Sequence, residues 1–533
     1  MQPGKVGRRP ADRRVRVRPP SSPYFRKVGD GVIVARPAAI EPTGSVSRTL
    51  ARARRVAFGR PLSNAEESSE RLSKVKALAV FSSDNLSSVA YATEAILFTL
   101  LAVGTGAFWL TVPISALIVA VLGIIVVSYR QTIRAYPNGG GSYVVARENL
   151  GTGAGLVAAA ALLTDYVLTV SVSVAAGVAA ITSAFPGALD GVRVEIAALS
   201  ILLVMLINLR GVRESGTIFA IPTYVFVGSM LVLIAVGVVR TLIGAAPTVT
   251  SVVPATVPTQ TLGILLLMRA FADGCTAITG VEAVSNGVPA FKRSESWNAR
   301  VTLTVMAVLV GVMFLGTSWL AEVAGAVPAE QETVLSQLGR AVFGGVGPAY
   351  LVLQLSTMGI LILAANTAFA DFPRLSSLLA RDGFMPRRFA FRGERLAFST
   401  GIVALAILSI AVLAAFGGRV EALIPLYAVG VFTSITLSQA GMVRHWWRTR
   451  EAGWRRSMSI NGVGAVATAI VTMIFAIAKF ALGAWLIIIV IPILVAAMIG
   501  VRSFSFGRNS SASLEIPPPT TKRSGEKSAS TTE

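Results

Sequence analysis

Long apolar runs separated by short loops are the feature that most constrains how this chain can fold. A run of about 18 or more apolar residues is long enough for a helix to cross the roughly 30 Å hydrocarbon core of a membrane. We number these runs segments 1 to 12, and their approximate ranges are 74–103, 108–130, 154–182, 192–209, 217–240, 261–289, 300–326, 345–371, 397–416, 422–443, 460–480 and 483–501. Only 14% of the residues are charged, so no large soluble domain fits between the runs. The sequence therefore predicts an all-α integral membrane protein with twelve transmembrane helices.

The net charge of +21 lies mainly in the tails and in alternate loops. One set of loops is rich in arginine, whereas the opposite set is sparse in charge or acidic, as in "EVAGAVPAEQETV". By the positive-inside rule, this pattern predicts a multi-pass protein of the plasma membrane with both termini in the cytoplasm. Basic residues beside apolar runs favour contact with membrane lipids and argue against nucleic acid as a partner.

The chain is predicted to have three regions. Residues 1–70 are basic and rich in Arg, Pro and Ser, which predicts a mostly disordered cytoplasmic tail. Residues 71–502 form the transmembrane domain, and residues 503–533 form a second disordered tail. The composition of the first tail is also compatible with an organelle transit peptide, whereas the lack of a short apolar stretch after the first arginines disfavours a secretory signal.

The chain has one cysteine, Cys275, and one histidine, His445. An intrachain disulfide, a zinc site built from cysteines and a histidine-based catalytic triad are therefore excluded. The chemistry must come from other polar groups inside the segments, which points away from an enzyme.

Asp84 in "FSSDNLSSVAYATE" is the clearest polar group at membrane depth. It lies ten residues past Lys74, or about 15 Å along a helix, near the bilayer midplane. A carboxylate there costs at least about 2.5 kcal/mol, which indicates a functional role. In a continuous helix, Ser87, Ser88 and Tyr91 would share its face. In a broken helix, freed backbone carbonyls would join the same cluster.

Segment 6 repeats this pattern in "AFADGCTAITGVEAVSNGVPAF". Thr279 and Glu282 share a helix face, and the glycines weaken the helix. The alternative is that Glu282 pairs with Arg269 and that the glycines are packing sites. Two interrupted segments with one carboxylate each are expected from an inverted five-plus-five repeat. The repeats would cover about 74–240 and 261–443, with extra helices in 460–501.

Hydroxyl groups provide further candidates. In segment 3, Tyr166, Thr169 and Ser173 form a stripe, although small hydroxyl residues often hold membrane helices together. Tyr427 in segment 10 is equally ambiguous, because tyrosines are common at membrane interfaces. Asp165 adjoins the stripe but is expected on another face. The run "YPNGGGSYVVAREN" predicts a flexible cytoplasmic turn, with an inner gate as one interpretation.

A site made of carboxylates, hydroxyls and carbonyls suits a hard cation, whose hydration shell such oxygens replace. A pair of buried carboxylates also allows proton coupling, because one can hold a proton while the other holds the cation. Asp84 would repel the carboxylate of an amino acid, whereas an amine would be accepted. We expect a small cation substrate and no cofactor.

Four stretches resemble those of the amino acid–polyamine–organocation superfamily, and within it the KUP-type potassium importers that include the KimA-like proteins. They are "KVKALAVFSSDNLSSVAYATEAIL", "YPNGGGSYVVARENLG", "ADGCTAITGVEAVSNGVPAFK" and "IPLYAVGVFTSITLSQAGMVRHW". The resemblance covers about residues 72–500. It implies a LeuT-like fold with broken first and sixth helices, and import of potassium with protons by alternating access. The implied ligands are Asp84, Tyr91, Tyr166, Thr169, Ser173, Thr279, Glu282 and Tyr427, with Asp84 and Glu282 as the proton-coupling candidates.

KimA-like proteins carry a cytosolic C-terminal domain associated with dimerisation and nucleotide regulation, whereas this chain ends soon after segment 12. A homodimer is therefore left open. A proton-coupled permease for an amino acid, polyamine or other cationic amine is the alternative function, and a membrane sensor that transports nothing is a third.

Overall fold

The computed structural model describes residues 25–29, 32–35, 71–139, 141–184, 190–209, 212–249, 259–329, 331–391 and 398–512. The chain divides into two units, Met1–Pro61 and Leu62–Glu533. In the first unit, strands β1 (Phe25–Gly29) and β2 (Val32–Ala35) pair antiparallel. The dipeptide Asp-Gly between them is a typical hairpin signal, which the prediction of a mostly disordered tail overlooked. The rest of that predicted tail lies outside the described residues.

The second unit is built from helices, because apolar runs in a membrane must satisfy their backbone polar groups internally. The α-helices are α1 Lys74–Phe81, α2 Ser83–Leu100, α3 Thr111–Ala135, α4 Ser142–Leu150, α5 Thr152–Ala184, α6 Arg193–Leu209, α7 Val212–Leu242, α8 Ile264–Gly274, α9 Val281–Asn286, α10 Glu295–Ala324, α11 Val334–Phe343, α12 Pro348–Arg381, α13 Ser399–Ala415, α14 Val420–Leu423, α15 Val429–Thr449, α16 Trp454–Ala478 and α17 Ala484–Ala512. Short 3-10 helices cover Thr105–Leu110, Asp190–Val192, Cys275–Ile278, Val288–Ala290, Arg387–Ala390, Ile424–Leu426 and Phe480–Leu482. Helix α17 thus extends into the predicted C-terminal tail.

Nine helical stretches of the described chain are long and apolar enough to cross a membrane. The other three predicted segments are also helical but fall short of that measure. Segment 1 is divided between α1 and α2, and segments 4 and 9 form helices α6 and α13 of 17 residues each. The protein is therefore a multi-pass helical membrane protein, and the count of twelve spans stays a prediction.

Three segments are interrupted where polar residues lie. Segment 1 departs from the helix only at Ser82, so the helix is continuous through Asp84. Segment 6 runs from α8 through a 3-10 turn and Thr279 to α9. Segment 10 is interrupted as well, at Tyr427 between the 3-10 turn and α15, which the sequence analysis did not predict.

The segments differ in how much of their surface the protein covers. In an apolar stretch of 18 residues within α5, 78% of the residues are buried, against 17% in a stretch of the same length within α17. Helix α5 packs against α4, α12 and α15, and so forms the centre of the unit. Just before α1, Leu72 forms a parallel bridge with Phe291, which ties the start of segment 1 to the end of segment 6.

Replacing Lys479 with methionine is expected to destabilise this fold strongly. Lys479 is the first residue after α16. Its ammonium group forms an ion pair with the Asp273 carboxylate of α8, and both side chains are buried. Losing one partner leaves an uncompensated buried charge, which costs about 3–5 kcal/mol. The midpoint of thermal unfolding in detergent measures this effect.

The matched control is Arg340→Met, which breaks the more exposed ion pair with Glu332 and should cost only about 0–1 kcal/mol. The double variant Lys479→Met/Asp273→Leu removes both buried charges and should be more stable than Lys479→Met alone. A double variant that is less stable than the single one would show that the pair is not the source of the effect.

Candidate functional site

Asp84 lies in the first turn of α2 and is buried at 3% exposure. Its backbone carbonyl accepts hydrogen bonds from the Ser87 and Ser88 hydroxyls, both at 2.9 Å. The Tyr91 hydroxyl then donates to Ser88 at 3.1 Å. The predicted polar face of segment 1 is therefore present on a continuous helix, and the serines serve to order it.

Gly280 brings the break of segment 6 against Asp84. Thr279 is extended, and Gly280 has a φ of 84°, in the left-handed region that favours glycine. A Cβ atom at Gly280 would lie 2.6 Å from Asp84 Oδ2. Glycine is therefore required at this position both for the backbone conformation and for the approach of the carboxylate.

Asn85 joins the two broken segments, a role that sequence analysis did not assign to it. Its side-chain amide donates to the carbonyl of Ala277 at 3.0 Å and to that of Thr279 at 2.7 Å. Asn85 therefore satisfies two carbonyls that the break of segment 6 leaves without helical partners. The signal in the sequence that could have identified it was an amide side chain next to Asp84 within an apolar run, and the structure places that side chain fully buried.

Tyr427 connects three segments through its hydroxyl. The hydroxyl donates to Thr279 Oγ1 at 2.7 Å and accepts from Thr169 Oγ1 at 3.4 Å. Tyr427 is extended, and Ala428 after it has a φ of 73°, which ends the first half of segment 10. The break thus places Tyr427 inside the protein, fully buried, rather than at a membrane interface.

Asp165 belongs to the same cluster, so the prediction that it lies on a separate face was wrong. It is 3% exposed, and its carboxylate faces the backbone N–H groups of Ala428 and Val431 at the start of α15. Asp165 precedes Thr169 by four residues on the same helix, so the spacing within segment 3 already places both on one face. The side chain of Thr169 interacts with the Asp165 carboxylate, and the break in segment 10 adds the two backbone donors. Asp165 is also close enough for its charge to interact with that of Asp84.

Glu282 lies in the first turn of α9 and is 2% exposed. Its charge interacts with those of Asp165, Asp84 and Asp371. Arg269, which the sequence offered as a partner, instead donates through Nε to the carbonyl of Ala478. Within the described part of the chain, no ion pair with a basic side chain neutralises Glu282.

Two predicted ligands are less closely connected. The Tyr166 hydroxyl accepts a hydrogen bond from Asn286 at 3.2 Å, and Asn286 also donates to Asp371 Oδ2 at 2.9 Å. Ser173 is buried, and its hydroxyl has no hydrogen-bond partner among the described residues. The hydrogen bonds therefore connect Thr169, Thr279 and Tyr427 directly, whereas Tyr166 belongs to a neighbouring network and Ser173 to neither.

The carboxylates at the centre are incompletely paired. Asp84 Oδ1, Asp165 Oδ1 and Glu282 Oε2 are buried, and none of them has a hydrogen-bond partner among the described residues. Buried charges without partners are costly, so such oxygens require protons or a cation. Across the described chain, no three His, Cys, Asp or Glu side chains are grouped so that they could together hold a metal ion.

A cavity of about 440 Å³ leads to the cluster at Tyr91. Its lining includes Glu94 and Glu421, together with the buried pair of Asp273 and Lys479. The cavity therefore places several acidic groups beside Tyr91, at one side of the cluster.

The glycine loop, residues 138–141, and α4 lie close to Asn286, near the C-terminal end of segment 6. A Cβ atom at Gly141 would lie 2.6 Å from Asn286 Oδ1. Nearby, the Tyr143 hydroxyl donates to Asp382 at 2.6 Å, and Arg147 forms an ion pair with the same carboxylate. Burial, together with the Asp382 carboxylate, raises the pKa of Tyr143, so its hydroxyl remains a donor at neutral pH.

Comparison with known proteins agrees with this architecture. The family model described as amino acid permease matches residues 72–511. The chain is 45% identical over 450 residues to the potassium transporter KimA of Bacillus subtilis strain 168. The match covers 84% of this chain and 74% of that protein.

Proposed function

Because the chain belongs to the amino acid permease family, and is therefore a membrane transporter rather than an enzyme, we propose that it imports potassium together with protons. The observation that carries this proposal is that three buried carboxylates, Asp84, Asp165 and Glu282, each have one oxygen without a hydrogen-bond partner among the described residues. A small cation that is bound during transport would interact with these oxygens. Similarity to a protein named as a potassium transporter supports the choice of cation.

The ligand atoms suit potassium. A weakly hydrated monovalent cation is bound by several oxygens that replace its water shell. Asp84 supplies the negative charge, and the hydroxyls of Tyr427, Thr279 and Thr169 supply neutral oxygens. Tyr91, Tyr166, Ser173 and Glu282 complete the proposed ligand set.

Proton coupling follows from the repulsion between the three carboxylates. They interact with one another, so a cation neutralises only part of the negative charge and a proton can neutralise more of it. We assign the coupling proton to Asp84 or Glu282 and add Asp165 as a third candidate.

Alternating access requires the site to open to each side in turn. The cavity at Tyr91 supports access from one side, and the contacts of Asn286 with the glycine loop support an inner gate on the other. We further propose twelve spans in a LeuT-like five-plus-five arrangement. The arginine-rich loops orient both termini toward the cytoplasm, with the protein in the plasma membrane.

Growth at limiting potassium tests the function. Cells that lack their own potassium uptake and express this chain are expected to grow at low external potassium, because the protein would restore import. Membrane insertion is verified in the same cells by immunodetection in the membrane fraction. No growth despite confirmed insertion would count heavily against potassium as the substrate.

A cationic amine is the alternative substrate, since the negative site would also attract an ammonium group. Uptake of labelled amino acids and polyamines into vesicles that contain the purified chain distinguishes the two. We expect no amine uptake and no inhibition of potassium uptake by amines. Saturable amine uptake that survives the absence of potassium would favour the alternative.

Tyr427→Phe is expected to raise the potassium concentration that gives half-maximal uptake by a few-fold to about tenfold. The change removes one hydroxyl, whose hydrogen bonds are worth about 0.5–1.5 kcal/mol, while the ring remains. The control is Tyr350→Phe, because the Tyr350 hydroxyl makes a comparable buried hydrogen bond with Ser336 outside the site. Equal effects of both changes on uptake would argue against Tyr427 as a ligand.

A further inference from the structure

A groove of about 910 Å³ lies between α3, α10 and α16, away from the carboxylate cluster. Its apolar walls include Val127, Val308 and Val312, which are 48–59% exposed. Gly123 also lines the groove, and a Cβ atom there would meet nothing within 4 Å. The groove is therefore an open apolar channel on the outside of the helix bundle.

One end of the groove is strongly basic. Arg130 and Arg134 of α3 and Arg456 of α16 line it there. The Arg130 guanidinium donates to Thr304 Oγ1 of α10 at 2.7 Å, which fixes its position at the junction of two helices. Within the described part of the chain, none of these three arginines forms an ion pair with an acidic side chain. The three positive charges are thus available to an anion.

We propose that this groove binds an anionic phospholipid, with its phosphate at the arginines and its acyl chains along the apolar walls. Guanidinium groups bind phosphate oxygens in a bidentate manner, and basic pockets between membrane helices are typical sites of anionic headgroups. Val119 lines the groove 11 residues before Arg130, or about 16 Å along the helix. This matches half of the roughly 30 Å hydrocarbon core, the depth of one leaflet.

The charge distribution favours a lipid over a second copy of the chain. A symmetric pair would place the same patch of each copy against its partner. The two sets of arginines would then lie at the same depth of the membrane and repel each other. An anionic lipid instead neutralises them and covers the exposed valines.

The test uses the purified full chain in nanodiscs with equal amounts of phosphatidylglycerol and phosphatidylcholine. After transfer to detergent, native mass spectrometry counts the retained lipids. We expect phosphatidylglycerol to be retained over phosphatidylcholine by at least about tenfold, because each well-placed arginine adds to the attraction. Gly123→Leu fills the groove, and Arg130→Ala/Arg134→Ala/Arg456→Ala removes the charges. Each variant should lower that preference about tenfold or more.

The matched controls change residues elsewhere. Gly228→Leu also adds a side chain where a Cβ atom would meet nothing within 4 Å, and Arg387→Ala/Arg388→Ala removes two exposed charges. Both should retain phosphatidylglycerol like the original chain. Thermal unfolding in phosphatidylcholine alone verifies that the variants fold. Equal retention of both lipids by the original chain would overturn the proposal. So would a Gly123→Leu variant that separates a dimer into monomers without loss of bound lipid.

Discussion

Asp84→Asn is expected to reduce potassium uptake by between about 30-fold and several thousand-fold. The substitution keeps the shape of the side chain and removes its charge. Removing one partner of a buried charge pair costs about 2–5 kcal/mol, and each 1.4 kcal/mol corresponds to a factor of ten. The initial rate of rubidium or potassium uptake in depleted cells measures the loss.

The control for this prediction is Glu322→Gln, which removes a carboxylate from the exposed end of α10. It should leave uptake within about twofold of the original rate, since surface substitutions away from a site have small effects. Asp84→Asn must also reach the membrane in normal amounts. If it retains most of the uptake, the assignment of Asp84 as the cation ligand is wrong.

Gly280→Ala is expected to lower uptake at least tenfold and to lower the thermal unfolding midpoint. Two effects combine at this position. A left-handed backbone costs a residue other than glycine about 1–2 kcal/mol. In addition, the new methyl group would lie 2.6 Å from Asp84 Oδ2, so the carboxylate must move.

Gly325→Ala separates these two effects. Gly325 ends α10 in a similar left-handed conformation, with a φ of 65°, and a Cβ atom there would meet nothing within 4 Å. Gly325→Ala therefore carries the backbone cost alone and should leave uptake nearly unchanged. If both variants lose stability equally and neither loses uptake, Gly280 does not position Asp84.

The parts of the site that could be predicted are those whose signal lies within one segment. A carboxylate in an apolar run is expensive wherever the run folds, so Asp84 and Glu282 were identified without knowledge of their neighbours. The helical spacing also placed Ser87, Ser88 and Tyr91 correctly relative to Asp84. Whether these residues bind a cation stays a prediction.

The parts that were missed depend on contacts between segments. Asp165 is the exception, because its spacing of four residues from Thr169 already places both on one face of segment 3, and the break in segment 10 only adds two backbone N–H donors. Asn85 acts through carbonyls that are free only because segment 6 unwinds. The sequence left open whether segment 1 is continuous or broken around Asp84. The helix is continuous from Ser83, because the hydroxyls of Ser87 and Ser88 bond to the backbone carbonyl of Asp84 within the helix.

The fold shows the same division. The apolar runs predicted the long helices of residues 74–512, since the length of a run depends on its own composition. They did not predict α4, Ser142–Leu150, or α11, Val334–Phe343, because neither lies in a long apolar run. Helix α4 occupies most of the stretch that was predicted to be a flexible turn, so that prediction was wrong. Segments 1, 4 and 9 are too short or too interrupted to be identified as membrane spans from length and composition. Whether they cross the membrane depends on how they pack against the other helices. The hairpin near the N-terminus was overlooked because its Asp-Gly signal lies in a basic segment that was interpreted by composition alone.

Ion flux into sealed vesicles that contain only the purified chain tests the central claim most directly. A pH-sensitive dye outside or inside the vesicles follows protons, while a potassium-selective fluorophore follows potassium. We predict that an imposed potassium gradient moves protons in the same direction as potassium, and that Asp84→Asn abolishes both movements. Potassium flux without proton movement would contradict the coupling, and no potassium flux from a correctly inserted protein would contradict the proposed function as a whole.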